Sequence, residues 1–203
     1  MKILYSNEDF AVCIKPVGMD SEKEVPNALT AVLGGDIFPI HRLDKNVGGV
    51  MVYARNRKAA AALSRSVQDG KMIKEYLATV HGAPPETGDW EDLLWKDAAK
   101  NKVFVVKRER RGVKNARLEF RRLSEEKTSL VHIRLHTGRS HQIRVQFSSR
   151  GFPLVGDHKY GSKDLRTEPM LFSFRISFPF AGKVHTFSAL PAWENISEDI
   201  FQT

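Results

Sequence analysis

The sequence predicts an α+β protein with many strands and few helices. Stretches with apolar residues at every second position are frequent, as in 116–123 and 129–135, and this alternation is typical of strands. Glycine, proline and asparagine separate these stretches at short intervals, as they do in turns. The clearest helix is 56–69, where Asn56 is a good N-cap, strong helix formers follow, and Gly70 suits the end.

The remaining elements follow from the same signals. We predict strands at 2–5, 9–15, 50–54 and 71–81, a short helix at 27–33, and pairing of 116–123 with 129–135. Downstream, we predict a turn-rich link at 84–89, strand pieces at 90–95 and 103–106, and an exposed basic hairpin tip at 108–115. A helix capped by Gly138 or Ser140 and ended by Gly151 precedes a hairpin of 170–178 with 183–190, and Pro191 starts a closing helix.

Size and composition narrow the class of protein. The chain has 203 residues, enough for one domain over 1–203, and no apolar run is long enough for a membrane span. Its first residues lack the pattern of a signal peptide. The single cysteine, Cys13, excludes an internal disulfide and a multi-cysteine zinc site. We therefore expect a cytoplasmic protein with no membrane partner.

Positive charge is concentrated in one part of the chain. The net charge is +8, and between Lys102 and Arg122 nine basic residues stand against two acidic ones, Glu109 and Glu119. Such a patch attracts a phosphate backbone and makes binding sensitive to salt. The alternative interpretation is an ordinary solvated face.

One carboxylate stands in a position that suits chemistry. Asp44 follows Arg42 in a polar cluster, and two glycines then lead into the apolar run 50–54. A buried strand would hold the Asp44 loop in place, and the neighbouring cations would keep the carboxylate ionised, as a nucleophile must be. Alternatively, Asp44 is a turn residue whose side chain bonds nearby backbone amides.

The stretch HRLDKNVGGVMVYARN resembles the catalytic-loop motif H-R-L-D-x-x-T-S-G of the RluA-type pseudouridine synthases. This resemblance implies that Asp44 is the essential catalytic residue. The chain departs from the motif at Val47-Gly48-Gly49, where the family usually has T-S-G. Residues 15–18, KPVG, resemble the K-P-x-G motif of the family, which implies a structural role there.

Two further motifs of the family are matched. KEYLA at 74–78 resembles K-x-Y-x-A, which implies that Tyr76 packs against the target base; a half-buried strand tyrosine is the alternative. Residues 137–161 resemble the block G-R-[S/T]-H-Q-[I/L]-R…G-x-P-x-x-G-D-x-x-Y-G. By position, this block implies an ion pair of Arg144 with Asp44, with Arg139 as second choice. Gln146 replaces a histidine that is frequent in the family, which we interpret as tuning.

The resemblance implies an isomerase that converts specific uridines of ribosomal or transfer RNA to pseudouridine. It implies a large, mostly antiparallel or mixed sheet with helices on its faces and a central RNA cleft; the strand-rich pattern agrees with that architecture without specifying it. Asp44, Tyr76 and Arg144 are then catalytic. The substrate-binding residues are Arg42, Arg139, His41 and Leu171, and Arg42 enters the space that the base vacates.

The resemblance covers the catalytic domain without the S4-type RNA-binding module, and we expect a monomer. The reaction needs no cofactor. We expect no metal, because His136 and His141 have no clustered further ligand. Two other functions stay open: a catalytically silent RNA-binding protein on the same scaffold, and a hydrolytic N-glycosidase that would release free uracil.

Overall fold

The computed structural model describes residues 1–194 and 196, which form three α-helices, one 3₁₀ turn and eleven strands. The helices are α1 (Glu24–Leu33), α2 (Arg57–Gln68) and α3 (Gln142–Ser148), and the 3₁₀ turn is His158–Tyr160. The strands are β1 (Lys2–Ser6), β2 (Phe10–Lys15), β3 (Phe38–Pro39), β4 (Gly48–Ala54), β5 (Ile73–His81), β6 (Thr87–Asp97), β7 (Lys102–Val106), β8 (Val113–Glu125), β9 (Thr128–Leu135), β10 (Leu171–Phe180) and β11 (Lys183–Ser188). The strands belong to a large mixed sheet, so the predicted α+β class is confirmed. No helix of the described residues is long and apolar enough to cross a membrane.

The chain divides into two compact units, Met1–Glu75 with the chain from Phe172, and Tyr76–Leu171. In the first unit the strand order is β1-β2-β4-β10, with β3 on β4 and β11 on β10. Most of these pairs are antiparallel, and β4 runs parallel to β10. All seven residues of β4 are buried. A single domain over 1–203 stays a prediction.

The core of the first unit lies between β2, β4, β10 and α2. Phe10 of β2, Val52 of β4 and Phe178 of β10 pack with Ala59 and Leu63 of α2. Asn56 caps α2 as predicted, because its side-chain oxygen accepts from the Ala59 amide at 2.8 Å. This packing gives β4 a rigid support.

In the second unit the strand order is β5-β9-β8-β6-β7. The helix α3 packs on β6 and β7. Leu94, Val103 and Ala116 of the strands form a buried cluster with Val145 of α3 and Tyr160. The predicted pairing of 116–123 with 129–135 is confirmed as the antiparallel pair β8–β9.

Several boundaries differ from the prediction. The strand β6 begins at Thr87, inside the predicted link 84–89, and Gly88 is part of it. A Cβ on Gly88 would lie 2.2 Å from the ring of Phe120, its partner on β8, so this glycine makes room for a ring rather than a turn. The helix α1 begins at Glu24, three residues before the predicted start.

The predicted hairpin tip at 108–115 is wrong. The strand β6 pairs with β7 on one side and with β8 on the other. Residues 107–112 therefore connect two strands that lie on opposite sides of β6 and do not pair with each other. The helix α3 also starts late, at Gln142, with His141 as the N-cap residue in a left-handed conformation instead of Gly138 or Ser140. Residues 191–194 form no helix, and the rest of the predicted closing helix, apart from residue 196, lies outside the described residues.

Candidate active site

Asp44 lies in a half-buried turn immediately before β4. The amide of Val47 donates to the carbonyl of Asp44 at 2.9 Å, which closes the turn. Val47 is buried, so the turn is pinned at its far end by the core. The loop 41–47 therefore presents its carboxylate from a rigid strand, as the sequence predicts.

A buried lysine holds this loop through hydrogen bonds to backbone carbonyls. The Lys15 ammonium, which is fully buried, donates to the carbonyls of Pro16 at 2.9 Å, Met19 at 2.8 Å and Lys45 at 3.1 Å. Burial lowers the pKa of Lys15 to about 8, and the charges of Asp20 and Asp44 oppose that shift. Lys15 thus supplies both a hydrogen-bonded anchor and a positive charge to the Asp44 loop.

A second anchor comes from Ser21. Its hydroxyl donates to the carbonyl of Leu43 at 3.0 Å and accepts from the Leu43 amide at 3.2 Å. The Tyr53 hydroxyl in β4 donates to the Ser21 carbonyl at 2.9 Å, which fixes Ser21 itself. The two residues that flank Asp44 are therefore tied to the segment 15–21.

The two glycines that follow Val47 lie against the backbone of neighbouring segments. Gly49 has φ +130°, and a Cβ there would lie 2.4 Å from the backbone nitrogen and oxygen of Ser173 in β10. A Cβ on Gly48 would lie 3.2 Å from the carbonyl oxygen of Lys15. The loop thus packs directly on neighbouring backbone, and Lys15 and Ser21 hold it through hydrogen bonds.

The two other predicted residues of this loop have different surroundings. Arg42 is exposed, and its Nη1 lies 3.6 Å from Glu22. His41 accepts from the Val52 amide at 3.3 Å through Nε2, and its Nδ1 has no hydrogen-bond partner among the described residues. Burial, with a smaller contribution from Lys74, lowers the pKa of His41 to about 3. His41 is therefore neutral and partly buried, whereas Arg42 reaches solvent.

Arg144 forms a buried ion pair in the second unit. Its Nε and Nη2 donate to the two carboxylate oxygens of Asp157 at 2.6 and 2.8 Å, and both side chains are buried. The guanidinium lies 5.1 Å from the ring centroid of Tyr160. The Tyr160 hydroxyl accepts from the Val103 amide and bonds Nδ1 of His141, each at 2.9 Å. These contacts fix the plane of the guanidinium.

Arg139, the second choice, is placed differently. It is exposed and precedes α3, and its Nε donates to the carbonyl of Asn115 at 2.8 Å. Its backbone amide donates to the side chain of Gln142 at 3.0 Å.

Gln146 donates to the Asp92 carboxylate at 2.7 Å and to the Trp90 carbonyl at 3.3 Å, so its amide joins α3 to β6.

The remaining predicted residues are buried parts of strands. Tyr76 in β5 is 5% exposed, and Leu171 begins β10 with 6% exposure. Asp44, Arg42 and His41 share one loop of the first unit, whereas Tyr76, Leu171, Arg139 and Arg144 belong to the second. The pairing of Asp44 with Arg144 stays a prediction.

Three residues that support the Asp44 loop and Arg144 were not predicted from the sequence. Lys15 and Ser21 anchor the Asp44 loop, and Asp157 fixes Arg144. The K-P-x-G and G-D motifs marked two of these positions, but neither motif indicates which group its side chain contacts. Within the described residues, no group of three or more histidine, cysteine, aspartate or glutamate side chains could hold a metal ion.

Comparison with known proteins agrees with these motifs. The family model described as RNA pseudouridylate synthase matches residues 9–149. An uncharacterized RNA pseudouridine synthase of Aquifex aeolicus is 33% identical over 189 residues, covering 85% of this chain and 60% of that protein. Ribosomal large subunit pseudouridine synthase D of Zymomonas mobilis is 32% identical, covering 79% of this chain and 56% of that protein. The chain thus spans little more than half the length of these curated relatives.

A solved structure shows the same fold. Human RNA pseudouridylate synthase domain containing 1 superposes with a TM-score of 0.81 at 23% sequence identity, over 94% of this chain and 83% of that one. The fold and the motif-bearing loops define a pseudouridine-synthase-like α+β protein. The chain belongs to the RNA pseudouridylate synthase family and is of the RluA type.

Proposed function

We propose that this chain isomerises specific uridines of ribosomal or transfer RNA to pseudouridine, with Asp44 as the catalytic carboxylate. The observation that carries the proposal is the support of the Asp44 loop. Buried groups of Lys15 and Ser21 bond the backbone on both sides of Asp44, and a fully buried strand follows. A loop that only connects two elements does not need such accurate support, whereas a loop that positions a reacting group does.

Arg144 is the better partner for Asp44 of the two candidates. A guanidinium carries five N–H groups, of which Asp157 accepts two, so the same side chain can also serve a second carboxylate. Arg144 is buried and oriented, whereas Arg139 is exposed and bonds a backbone carbonyl. A fixed cation keeps a carboxylate ionised in a water-poor site, where burial alone would raise its pKa.

The reaction breaks the bond between the ribose C1′ and the base N1, turns the base, and joins C1′ to C5. A proton then leaves C5 and N1 gains one, so the product is an isomer of the substrate. Attack of Asp44 on C1′ and removal of the 2′ proton remain alternative first steps. The target uridine leaves its stack at a cost of a few kcal/mol. In the proposal Tyr76 covers one face of the extruded base, Arg42 fills the vacated space, and Arg139, His41 and Leu171 complete the substrate-binding set.

Selection of the RNA then rests on local loop shape and a few bases. The net charge of +8 supplies affinity for phosphate groups. A cytoplasmic monomer that needs no metal belongs to the same proposal. An inactive RNA-binding protein on this scaffold would bind the same RNA without isomerising it.

The role of Arg144 is tested by removing it without leaving a buried charge behind. Arg144→Met alone would strand the Asp157 carboxylate, at a cost of about 3–5 kcal/mol. The double variant Arg144→Met with Asp157→Asn removes both charges and should unfold at a higher denaturant concentration than the single variant. It should nevertheless lose most of its single-turnover rate, measured by tritium release from RNA labelled at uridine C5. A folded double variant with near-normal turnover would refute the role of Arg144.

A further inference from the structure

The outer face of β6 and β7 carries a partly exposed apolar cluster. Register places Trp95 of β6 between Phe104 of β7 and Val113 of β8, and opposite residues of paired strands point to the same face. The rings of Trp95 and Phe104 lie 6.3 Å apart. The preceding residue of β6, Leu94, is buried in the core on the other face. The Trp95 cluster therefore lies on the face opposite α3.

The guanidinium of an arginine lies over this cluster. The guanidinium carbon of Arg110 is 4.4 Å from the ring centroid of Trp95, a cation–π distance. The amide of Val113 donates to the Arg110 carbonyl at 3.0 Å, and Gly112 has φ +85°, so residues 110–113 form a tight turn. A Cβ on Gly112 would lie 3.9 Å from the Trp95 ring, which shows how closely the turn folds against it.

The charge around this stack is positive. The connection 107–112 is exposed throughout and contains Lys107, Arg108, Arg110 and Arg111 against the single acid Glu109. Two carboxylates farther along β6 are already bonded: Asp89 pairs with Arg117 at 2.8 Å, and Glu91 accepts from Asn115 at 2.7 Å. The surface beside Trp95 therefore suits a phosphate backbone better than it suits a neutral or basic partner.

We propose that Trp95 and Arg110 form a second RNA contact, which takes an unpaired nucleotide other than the one being modified. An unpaired base stacks on the outer side of the Arg110 guanidinium, which lies over the Trp95 ring, and the neighbouring cations bind the flanking phosphates. Guanidinium planes and aromatic rings are the usual platforms for unpaired RNA bases. This contact rests on the proposed function only in that its ligand is RNA.

Replacing arginine with lysine is the most selective test, because the substitution keeps the positive charge and removes the planar guanidinium on which a base stacks. The change Arg110→Lys is compared with Arg108→Lys in the same exposed connection, both in Asp44→Asn protein. The probes are a fluorescent twelve-nucleotide oligouridylate and a strand of equal length with the same ribose-phosphate backbone but no bases. Dissociation constants are measured by fluorescence anisotropy at one fixed salt concentration.

Arg110→Lys should weaken binding of oligouridylate about tenfold and leave the strand without bases nearly unchanged. Arg108→Lys should leave both nearly unchanged, and Trp95→Leu should reproduce Arg110→Lys. Equal affinity of the parent protein for the two strands, or equal effects of the two lysine variants, would overturn the proposal and reduce the surface to a phosphate contact. If Trp95→Leu changes the affinity for neither strand, the surface does not bind RNA and a protein partner is the remaining occupant. That outcome would also overturn the proposal.

The measurement does not depend on catalysis. If the wild-type chain forms no pseudouridine but Arg110→Lys selectively weakens oligouridylate, the contact stands and the proposed function fails. If pseudouridine forms and the lysine variants behave alike, the reverse holds. Because Arg110 is exposed, its variant folds even if Trp95→Leu does not.

Discussion

The Asp44 loop and the connection 107–112 are both polar segments that precede a strand, but they are held in different ways. The Asp44 loop is bonded through its backbone to buried groups of Lys15 and Ser21 and leads into a fully buried strand. The connection 107–112 is exposed, and Arg110 in it lies over the ring of Trp95 in the sheet. Both segments are proposed to contact RNA.

The difference reflects what each contact requires. A reacting carboxylate must be placed within a fraction of an ångström, which calls for buried hydrogen bonds that cannot rearrange cheaply. A phosphate or a stacked base is bound by charge and by a flat surface, and an exposed loop can adapt to either. Substitutions that loosen the first segment should therefore cost stability and activity, whereas those in the second should cost affinity alone.

The largest effect on stability is expected for Gly49→Ala. The added Cβ would meet the Ser173 backbone at 2.4 Å, in a residue with φ +130°, so the free energy of unfolding should fall by about 3 kcal/mol or more. Gly70→Ala is the control, because Gly70 has φ +67° but open space around its Cβ position, and it should cost about 1–2 kcal/mol. Urea unfolding of both variants measures the two losses of free energy of unfolding. Equal losses would show that β10 moves to accommodate the added Cβ, and would contradict a rigid contact at Gly49.

A smaller effect is expected for Lys15→Met. The change removes the donor from three carbonyls, so it should lower the free energy of unfolding by about 1–3 kcal/mol and reduce the single-turnover rate through the Asp44 loop. A variant as stable and as active as the wild type would contradict the anchoring role of Lys15.

The pH dependence of Lys15 gives a separate test. Its pKa is about 8 in the folded protein and 10.5 for an exposed lysine, so between these values the unfolded chain holds a proton that the folded chain has released. The free energy of unfolding of the wild type, relative to Lys15→Met, should therefore rise from pH 8 to pH 10.5 and be constant below pH 8. Urea unfolding at intervals of one pH unit measures this difference, and a flat difference would show that Lys15 titrates as an exposed lysine.

The smallest effect on stability is expected for Arg111→Gln in the exposed connection, within about 0.5 kcal/mol. The slope of log affinity for transfer RNA against log salt should nevertheless decrease by about one. The control is Lys58→Gln, which removes one exposed charge from α2. A change in stability without a change in slope would contradict the distinction between the two segments.

Local signals in the sequence were reliable where the structure depends on neighbours in the chain. Asn56 caps α2 through a residue three positions away, and β8 pairs with β9, the next strand along the chain, across a short turn. The signals failed where distant residues decide. Gly88 lies in the predicted turn-rich link 84–89, but the ring of Phe120 requires it within β6. The strand β6 also separates the two strands on either side of the predicted hairpin tip.

The same limit applies to the candidate site. The Asp44 loop and the two candidate arginines were found from motifs, and the buried strand behind Asp44 was predicted from its apolar residues. The anchoring roles of Lys15 and Ser21 were not predicted, because these residues bond loop residues that are 30 and 22 positions away in the chain. Nor did the sequence show that Asp157 fixes Arg144, since the two residues are 13 positions apart and the end of a helix lies between them.

The central claim is that the Asp44 carboxylate carries out the isomerisation. Unmodified ribosomal and transfer RNA transcripts labelled with tritium at uridine C5 are incubated with the wild type and with Asp44→Asn, and released tritium is counted. The wild type should release tritium from at least one transcript, and Asp44→Asn should do so at least on the order of 10³-fold more slowly while binding that RNA equally well. Equal release by the two proteins, or none by the wild type from either class of RNA, would contradict the account.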